Sequence, residues 1–384
     1  MKKVNPKQLC LNCFATLSSD RVCPVCGKKD EDETVAQHIL PRRTVLHKQY
    51  VIAKLLGEGG FGITYLAYDL IFSRPVAIKE FFPDGAASRN VKFNNNVSVM
   101  RDKKIQFYRG LDRFNKETKR LASLENLEGI VSIYNFFREN NTSYIVMEYL
   151  DGVSLKRYVQ KKGKLPVDTV LTILHPVISS LSAVHNAGII HRDISPDNIL
   201  ITRQSEVKLI DFGASLPSDG NENEKAVILK QGFAPEEQYR LSGIQGPWSD
   251  IYALAVTIYY CLTCTLPPES VQRLYEDTLI PPSKLGSDIL PHQEKALLKA
   301  MAVLASDRYG NIADFEKDIY AKKPREDVRK VPPKTEEKYK TRTEKGSTIS
   351  YKTLKRLEEE KTTKSQKSPK QAIIDNIFSE GEKK

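Results

Sequence analysis

The sequence predicts an α+β chain of two lobes, strand-rich first and helical second, with a crevice between them. Three observations predict it. Short runs rich in β-branched and aromatic residues cluster before residue 150, long apolar-periodic segments follow it, and a small four-cysteine unit precedes both. The expected divisions are a cysteine unit over 1–30, a linker over 31–46, a two-lobed domain over 47–320 split into 47–150 and 151–320, and a basic tail over 321–384.

The N-terminal unit carries Cys10-Leu11-Asn12-Cys13, nine intervening residues, then Cys23-Pro24-Val25-Cys26-Gly27. Two such knuckles can set four thiolates tetrahedrally around one ion, so a structural Zn²⁺ ribbon is expected on Cys10, Cys13, Cys23 and Cys26. No thioredoxin-like βαβ pattern surrounds either pair, which disfavours a redox role. After an acidic connector from Asp30 to Thr34, strands are expected at Tyr50 to Leu56, Thr64 to Tyr68, Val76 to Phe81 and Tyr144 to Glu148. Residues Phe82 to Gly110 read as an insertion ahead of the helix that holds Glu117. Helices are expected at Val167 to Asn186, Asp250 to Cys264 and His292 to Leu304, with a strand at Val207 to Ile210. Cys261 and Cys264, three apart on an apolar helix, read as buried packing.

The chain carries a net charge of +11, and its location matters more than its size. Residues 321–384 hold 19 Lys and Arg against 11 Asp and Glu, so the tail carries +8 of that total. The tail is poor in aromatics and apolar residues, cannot offset its ordering entropy by burial, and is expected to be disordered. Gln371 to Phe378 reads either as a short docking helix or as a solvated segment. Because the tail's charges alternate in sign and few aromatics are available for stacking, nucleic acid is not an expected partner. No run reaches the roughly 18 consecutive apolar residues of a membrane span, and the first residues lack the apolar core of a secretory signal. A cytoplasmic, reducing location is therefore expected for the six cysteines.

Two clusters carry chemistry. The first is Gly57-Glu58-Gly59-Gly60-Phe61-Gly62 between two strand-like runs, where glycines let backbone N–H groups approach phosphate oxygens. A dinucleotide-binding version of this pattern would open a helix, whereas Ile63-Thr64-Tyr65-Leu66 continues as a strand. Seventeen residues beyond Gly62, Val76-Ala77-Ile78-Lys79 ends an apolar strand on a cation suited to phosphate. The second cluster is His191-Arg192-Asp193-Ile194-Ser195-Pro196-Asp197-Asn198, followed by Asp211-Phe212-Gly213. A carboxylate can orient an attacking hydroxyl and take its proton, while an amide and a second carboxylate hold a divalent ion on phosphates.

With all four motifs in this order and spacing, the chain resembles the bacterial serine/threonine protein kinases over roughly residues 47 to 320. It is similar in particular to those with an AIKEFFP strand end, here Ala77 to Pro83. The resemblance implies a bilobal kinase fold, with ATP and Mg²⁺ (or Mn²⁺) as cofactors and protein Ser or Thr hydroxyls, including its own, as acceptors. It implies Asp193 as the catalytic carboxylate, Asn198 and Asp211 as Mg²⁺ ligands, and Lys79 paired with Glu117 and held on the phosphates. It also implies a nucleotide site roofed by Leu56, Gly57, Glu58, Gly59, Gly60, Phe61, Gly62, Ile63 and Thr64, with Ala77, the gatekeeper Met147, and hinge residues Glu148, Tyr149 and Leu150. Asp250 would tie the catalytic loop to the central helix, and Arg308 would pair with Glu236 or Glu237 of Ala234-Pro235-Glu236-Glu237.

The sequence departs from the family pattern at three places. Thr64 replaces a valine above the adenine. Ser195 stands where most of these kinases carry a lysine facing the γ-phosphate, and Leu229 or Lys230 stands where a threonine usually precedes the Ala-Pro-Glu motif. Lys230 is therefore expected to supply the positive charge missing at Ser195. Glu222 and Glu224 are expected to serve Arg192 as built-in anions, since Ser215 and Ser218 sit away from the usual phosphorylation position. A nucleotide-binding pseudokinase scaffold is the alternative reading. The docking partners of ribbon and tail are open, as is phosphorylation of Thr343, Ser347, Thr348 and Ser368 in the tail.

Overall fold

The β-branched and aromatic runs of the first lobe form strands that bury one face against a helix, while Val51, Ala53 and Leu66 on the other face are covered by the cysteine unit. The computed structural model describes residues 5–30, 36–124, 127–212, 230–240 and 243–321. The tail beyond 321 and the residues Ser215, Ser218, Glu222 and Glu224 lie outside the described residues. In chain order the first lobe has β1 (Val45–Leu46), β2 (Tyr50–Gly59), β3 (Gly62–Asp69), β4 (Arg74–Phe81), β5 (Ala87–Ser88), β6 (Ser98–Val99), α1 (Lys104–Ala122), β7 (Ile133–Glu139) and β8 (Thr142–Glu148). The second lobe adds β9 (Gly152–Ser154), α2 (Leu155–Lys162), α3 (Val167–Asn186), β10 (Ile199–Thr202), β11 (Val207–Leu209), α4 (Pro247–Thr263), α5 (Ser270–Arg273), α6 (Pro291–Ala300) and α7 (Ile312–Ile319).

The first lobe is an antiparallel sheet in the order β1-β2-β3-β4-β8-β7. The amphipathic helix α1 packs on it through Phe107, Leu111 and Phe114, with Phe81 set 5.3 Å from both Phe107 and Phe114 by ring centroids. The second lobe is centred on α3 and α4, whose buried faces meet α6 and α7 in one core. Helix α3 is long and apolar enough by composition to cross a membrane, but most of it is buried in that core. A three-stranded sheet, β11-β10-β9, carries the loops of the crevice floor.

One expected boundary is corrected, and two further features come from the structure. The helix holding Glu117 starts at Lys104, so the insertion stops short of Gly110; within it, β5 and β6 form a small antiparallel pair. Within the expected linker, Ile39 and Leu40 are buried in the first-lobe core and Val45–Leu46 pairs with β2. The strand β7 has no clear sequence signal: Ile133-Tyr134-Asn135-Phe136-Phe137 does not alternate cleanly, and Phe137 is its one buried residue.

The cysteine unit packs on the outer face of the sheet. Leu11, between the first two cysteines, joins Val51, Ala53 and Leu66, and Phe14 lies 5.0 Å from Tyr68 by ring centroids. Arg43 bonds the carbonyls of Pro6 and Leu9 and pairs with Asp30, fastening the unit to the start of the sheet.

Candidate active site

The loop between β2 and β3 forms the roof of a crevice of about 540 Å³ between the lobes. Gly62 is required by packing, since a Cβ there would lie 2.2 Å from the Glu80 carbonyl oxygen on β4. Gly57 and Gly59 have no neighbouring atom in that direction, so their bare backbone faces open space. Leu56 to Gly62, Thr64, Ala77, Lys79, Met147, Glu148, Leu150, Asp193 and Asp211 all line the crevice. Ile63 does not. The strand period of two turns it away from Thr64 and into the first-lobe core, where it is fully buried. Val131, Leu200 and Ile210 also line the crevice and were not anticipated. They come from three separate segments, and Ile210, one residue before Asp211, carried the only local signal.

Lys79 is brought in by register. It sits opposite Thr64 on β3 and Ile145 on β8 and is only 6% exposed. Among the described residues its ion-pair partner is Asp211, which corrects the expected pair with Glu117. Asp211 takes a positive φ of 70°, and its half-exposed carboxylate lies against the buried Lys79 ammonium. Enclosure raises the Asp211 pKa, but the charges of Lys79, His191 and Lys230 more than reverse this and hold it below the ordinary value. Glu117 is half-buried on α1. Burial lowers the Arg192 pKa against the opposing charges of Glu117 and Asp250.

The catalytic loop is held from below by Asp250. Its fully buried carboxylate accepts the His191 and Arg192 backbone N–H groups, both at 2.8 Å, and lies 2.9 Å from His185 Nε2. Burial raises its pKa, and His185, the His191 charge and the His191 N–H bond hold it low. The Asn198 amide donates to the Asp193 carbonyl at 2.8 Å and to its carboxylate Oδ2 at 2.7 Å. The Asn198 side-chain oxygen therefore remains as an acceptor, and with the anionic Asp211 it makes an oxygen donor set suited to a hard divalent cation. The Phe212 ring packs 4.4 Å edge-on to His191.

Two questions left open by the sequence are decided by geometry. Arg308 pairs with Glu237, at 2.8 and 3.1 Å, while Glu236 pairs with the exposed Arg240. With Glu237 as the closing glutamate, Lys230 rather than Leu229 occupies the position of the missing threonine. On the hinge, the Glu148 carboxylate is turned to the Ser132 N–H (2.6 Å) and to Lys208 (2.7 Å), leaving the hinge main chain as the polar edge of that wall.

In the cysteine unit the four Sγ atoms lie within 4.8 Å of one another. Each knuckle closes through a residue of positive φ, Phe14 (63°) and Gly27 (68°), whose N–H groups donate to the Cys10 and Cys23 carbonyls. This is a donor set and spacing compatible with one tetrahedral Zn²⁺.

The model of the protein kinase domain matches residues 50–281. The serine/threonine-protein kinase PrkC of Bacillus subtilis is 34% identical over 281 residues, covering 71% of this chain and 40% of that protein. The serine/threonine-protein kinase PknB of Mycolicibacterium smegmatis is 32% identical over 301 residues, covering 74% and 44%. The chain thus spans less than half the length of either relative. Among solved structures, the apo form of PpkA-294 superposes with a TM-score of 0.64 at 33% identity, covering 73% of this chain and 99% of that one. Rad53 1–466 in complex with AMP-PNP, at 21% identity and a TM-score of 0.53, shares the fold. A family match over the strands that roof the crevice and the helices that floor it, carried by relatives above 30% identity, means that this chain belongs to the protein kinase family.

Proposed function

We propose that the chain is an ATP-dependent kinase that transfers the γ-phosphate of ATP to Ser or Thr hydroxyls of proteins, its own included. The observation that carries this reading is the convergence of Lys79, Asp193 and Asp211 on one crevice under a glycine-bearing roof, with Asn198 bonded to Asp193. In this reaction the acceptor hydroxyl oxygen forms a bond to the γ-phosphorus, the bond to the β,γ-bridging oxygen breaks, and ADP leaves. Asp193, held by the Asn198 amide, orients the hydroxyl and takes its proton. The backbone of Gly57 and Gly59 and the Lys79 ammonium hold the phosphates. Asn198 and Asp211 would hold Mg²⁺ or Mn²⁺, which when bound neutralises charge on the phosphate oxygens. The cysteine unit, as a Zn²⁺ ribbon, serves as a structural or docking module for a protein partner, and its four cysteines, with no disulfide among them, suit a reducing cytoplasm.

Transfer of labelled phosphate to a generic basic protein and to the chain itself tests this. Asp193→Asn is expected to lose about 10²–10⁴-fold in rate while still binding ATP. ATP binding without transfer by the unaltered chain would instead establish a nucleotide-binding scaffold.

A further inference from the structure

Ser195 lies two residues after Asp193, is fully buried and carries no charge, so the catalytic loop itself presents no cation beside the transferring group. One reaches it from elsewhere. The Lys230 ammonium donates to Ser195 Oγ at 2.7 Å and lies 2.7 Å from Asp197 Oδ2. Its backbone is fixed, because its carbonyl accepts the N–H groups of Phe233 and Ala234 at 3.0 and 3.2 Å. The segment behind it is anchored by the buried Glu237–Arg308 pair and by the Ser270 hydroxyl on the Ala234 carbonyl. Asp197 has a second cation, Lys156 at 3.2 Å from the same oxygen, so Lys230 can turn toward a phosphoryl group without leaving that carboxylate unpaired.

We propose that Lys230 is a catalytic residue of the phosphoryl transfer, carried on the activation segment and contacting the γ-phosphoryl oxygens as the hydroxyl attacks. This rests on the kinase reading. Its ammonium stabilises negative charge on the phosphoryl group, while the hydroxyl proton still goes to Asp193 and ADP still leaves. Because the cation belongs to the stretch from Lys230 to Glu237 and not to the catalytic loop, placement of that stretch against the loop becomes a chemical requirement for turnover. Ser195 is the hydroxyl cradle that aims the lysine.

The test compares the full chain with Lys230→Met, Lys230→Arg, and the double variant Ser195→Lys with Lys230→Met, with Asp193→Asn run beside them. Phosphorylation rates are measured at saturating ATP, the affinity for a non-hydrolysable ATP analogue by calorimetry, and folding by thermal melting. Lys230→Met is expected to lower kcat about 10²–10³-fold, the scale for removing one transition-state donor, with analogue affinity within about two-fold. Lys230→Arg is expected to keep clearly more activity, and the double variant to recover at least about a tenth of the unaltered rate, since it restores a cation by the other route. Should the double variant not fold, the contrast between Arg and Met decides alone. Equal loss in both, or a Lys230→Met rate within about three-fold of the unaltered chain, overturns the proposal while leaving the kinase reading intact. Absence of transfer by the unaltered chain, with Asp193→Asn indistinguishable from it, overturns both.

Discussion

Replacing Arg89 by methionine should unfold the first lobe far more easily than any surface change. Arg89 lies in the insertion and meets Glu80, the neighbour of Lys79, through two bonds of 2.6 and 2.7 Å, with both side chains fully buried. Its guanidinium also donates to the His38 carbonyl at 2.9 and 2.6 Å, so one side chain joins linker, insertion and central sheet. Tyr65 and Tyr144 donate to the same carboxylate at 3.1 and 2.7 Å, and burial together with the Glu80 charge pushes both phenols up. Removing the cation leaves a carboxylate with no counter-charge and no water, which costs about 3–5 kcal/mol. At about 2–4 °C per kcal/mol for a domain of this size, the melting midpoint should fall by about 6–20 °C. Adding Glu80→Gln removes the stranded charge, so the double variant should recover about 2 kcal/mol over Arg89→Met. Circular dichroism melts and urea titrations of the full chain measure both. A single variant that loses less than about 1 kcal/mol, or a double variant less stable than the single, would refute the reasoning.

Three further outcomes follow from particular contacts. Gly62→Ala should lower the melting midpoint, because its Cβ would strike the Glu80 carbonyl at 2.2 Å; Gly59→Ala, in open space, should melt normally and differ only in nucleotide affinity. Asp250→Ala should cost about 3 kcal/mol or more and suppress phosphate transfer, since two charge-assisted bonds to the catalytic loop are lost; an unchanged urea midpoint would contradict this. Cys23→Ser should abolish stoichiometric zinc, read by elemental analysis, and speed amide exchange at Val51 and Ala53, which pack on Leu11 of the ribbon; unaltered exchange would show that the ribbon and sheet are uncoupled.

Much of the fold was legible in the sequence because its signals are local. The apolar period over Val167–Asn186 marks the same residues as helix α3, and the β-branched run ending at Lys79 marks β4. The glycine loop could be read as a turn between strands for the same reason. What failed was either irregular or remote. The expected insertion overruns the start of α1 because Lys104 to Gly110 carries a mixed pattern, and its Phe107 is set against Phe81 only in the fold. Ile63 falls inside the stretch that the family resemblance implies as roof, whereas alternation along the strand sends its side chain to the opposite face from Thr64.

The sequence by itself determined the chemistry on offer: a carboxylate, an amide, a second carboxylate and a strand-end lysine, in an order and spacing that local backbone preferences and motif composition make readable. Only the tertiary structure decided which groups meet. Lys79 faces Asp211 across 132 residues of chain, Arg308 selects Glu237 over the adjacent Glu236, and Lys230 reaches Ser195 across 35. Such pairings depend on the closing of long loops and on which buried charges can find a partner, and neither quantity is written in any local stretch of residues.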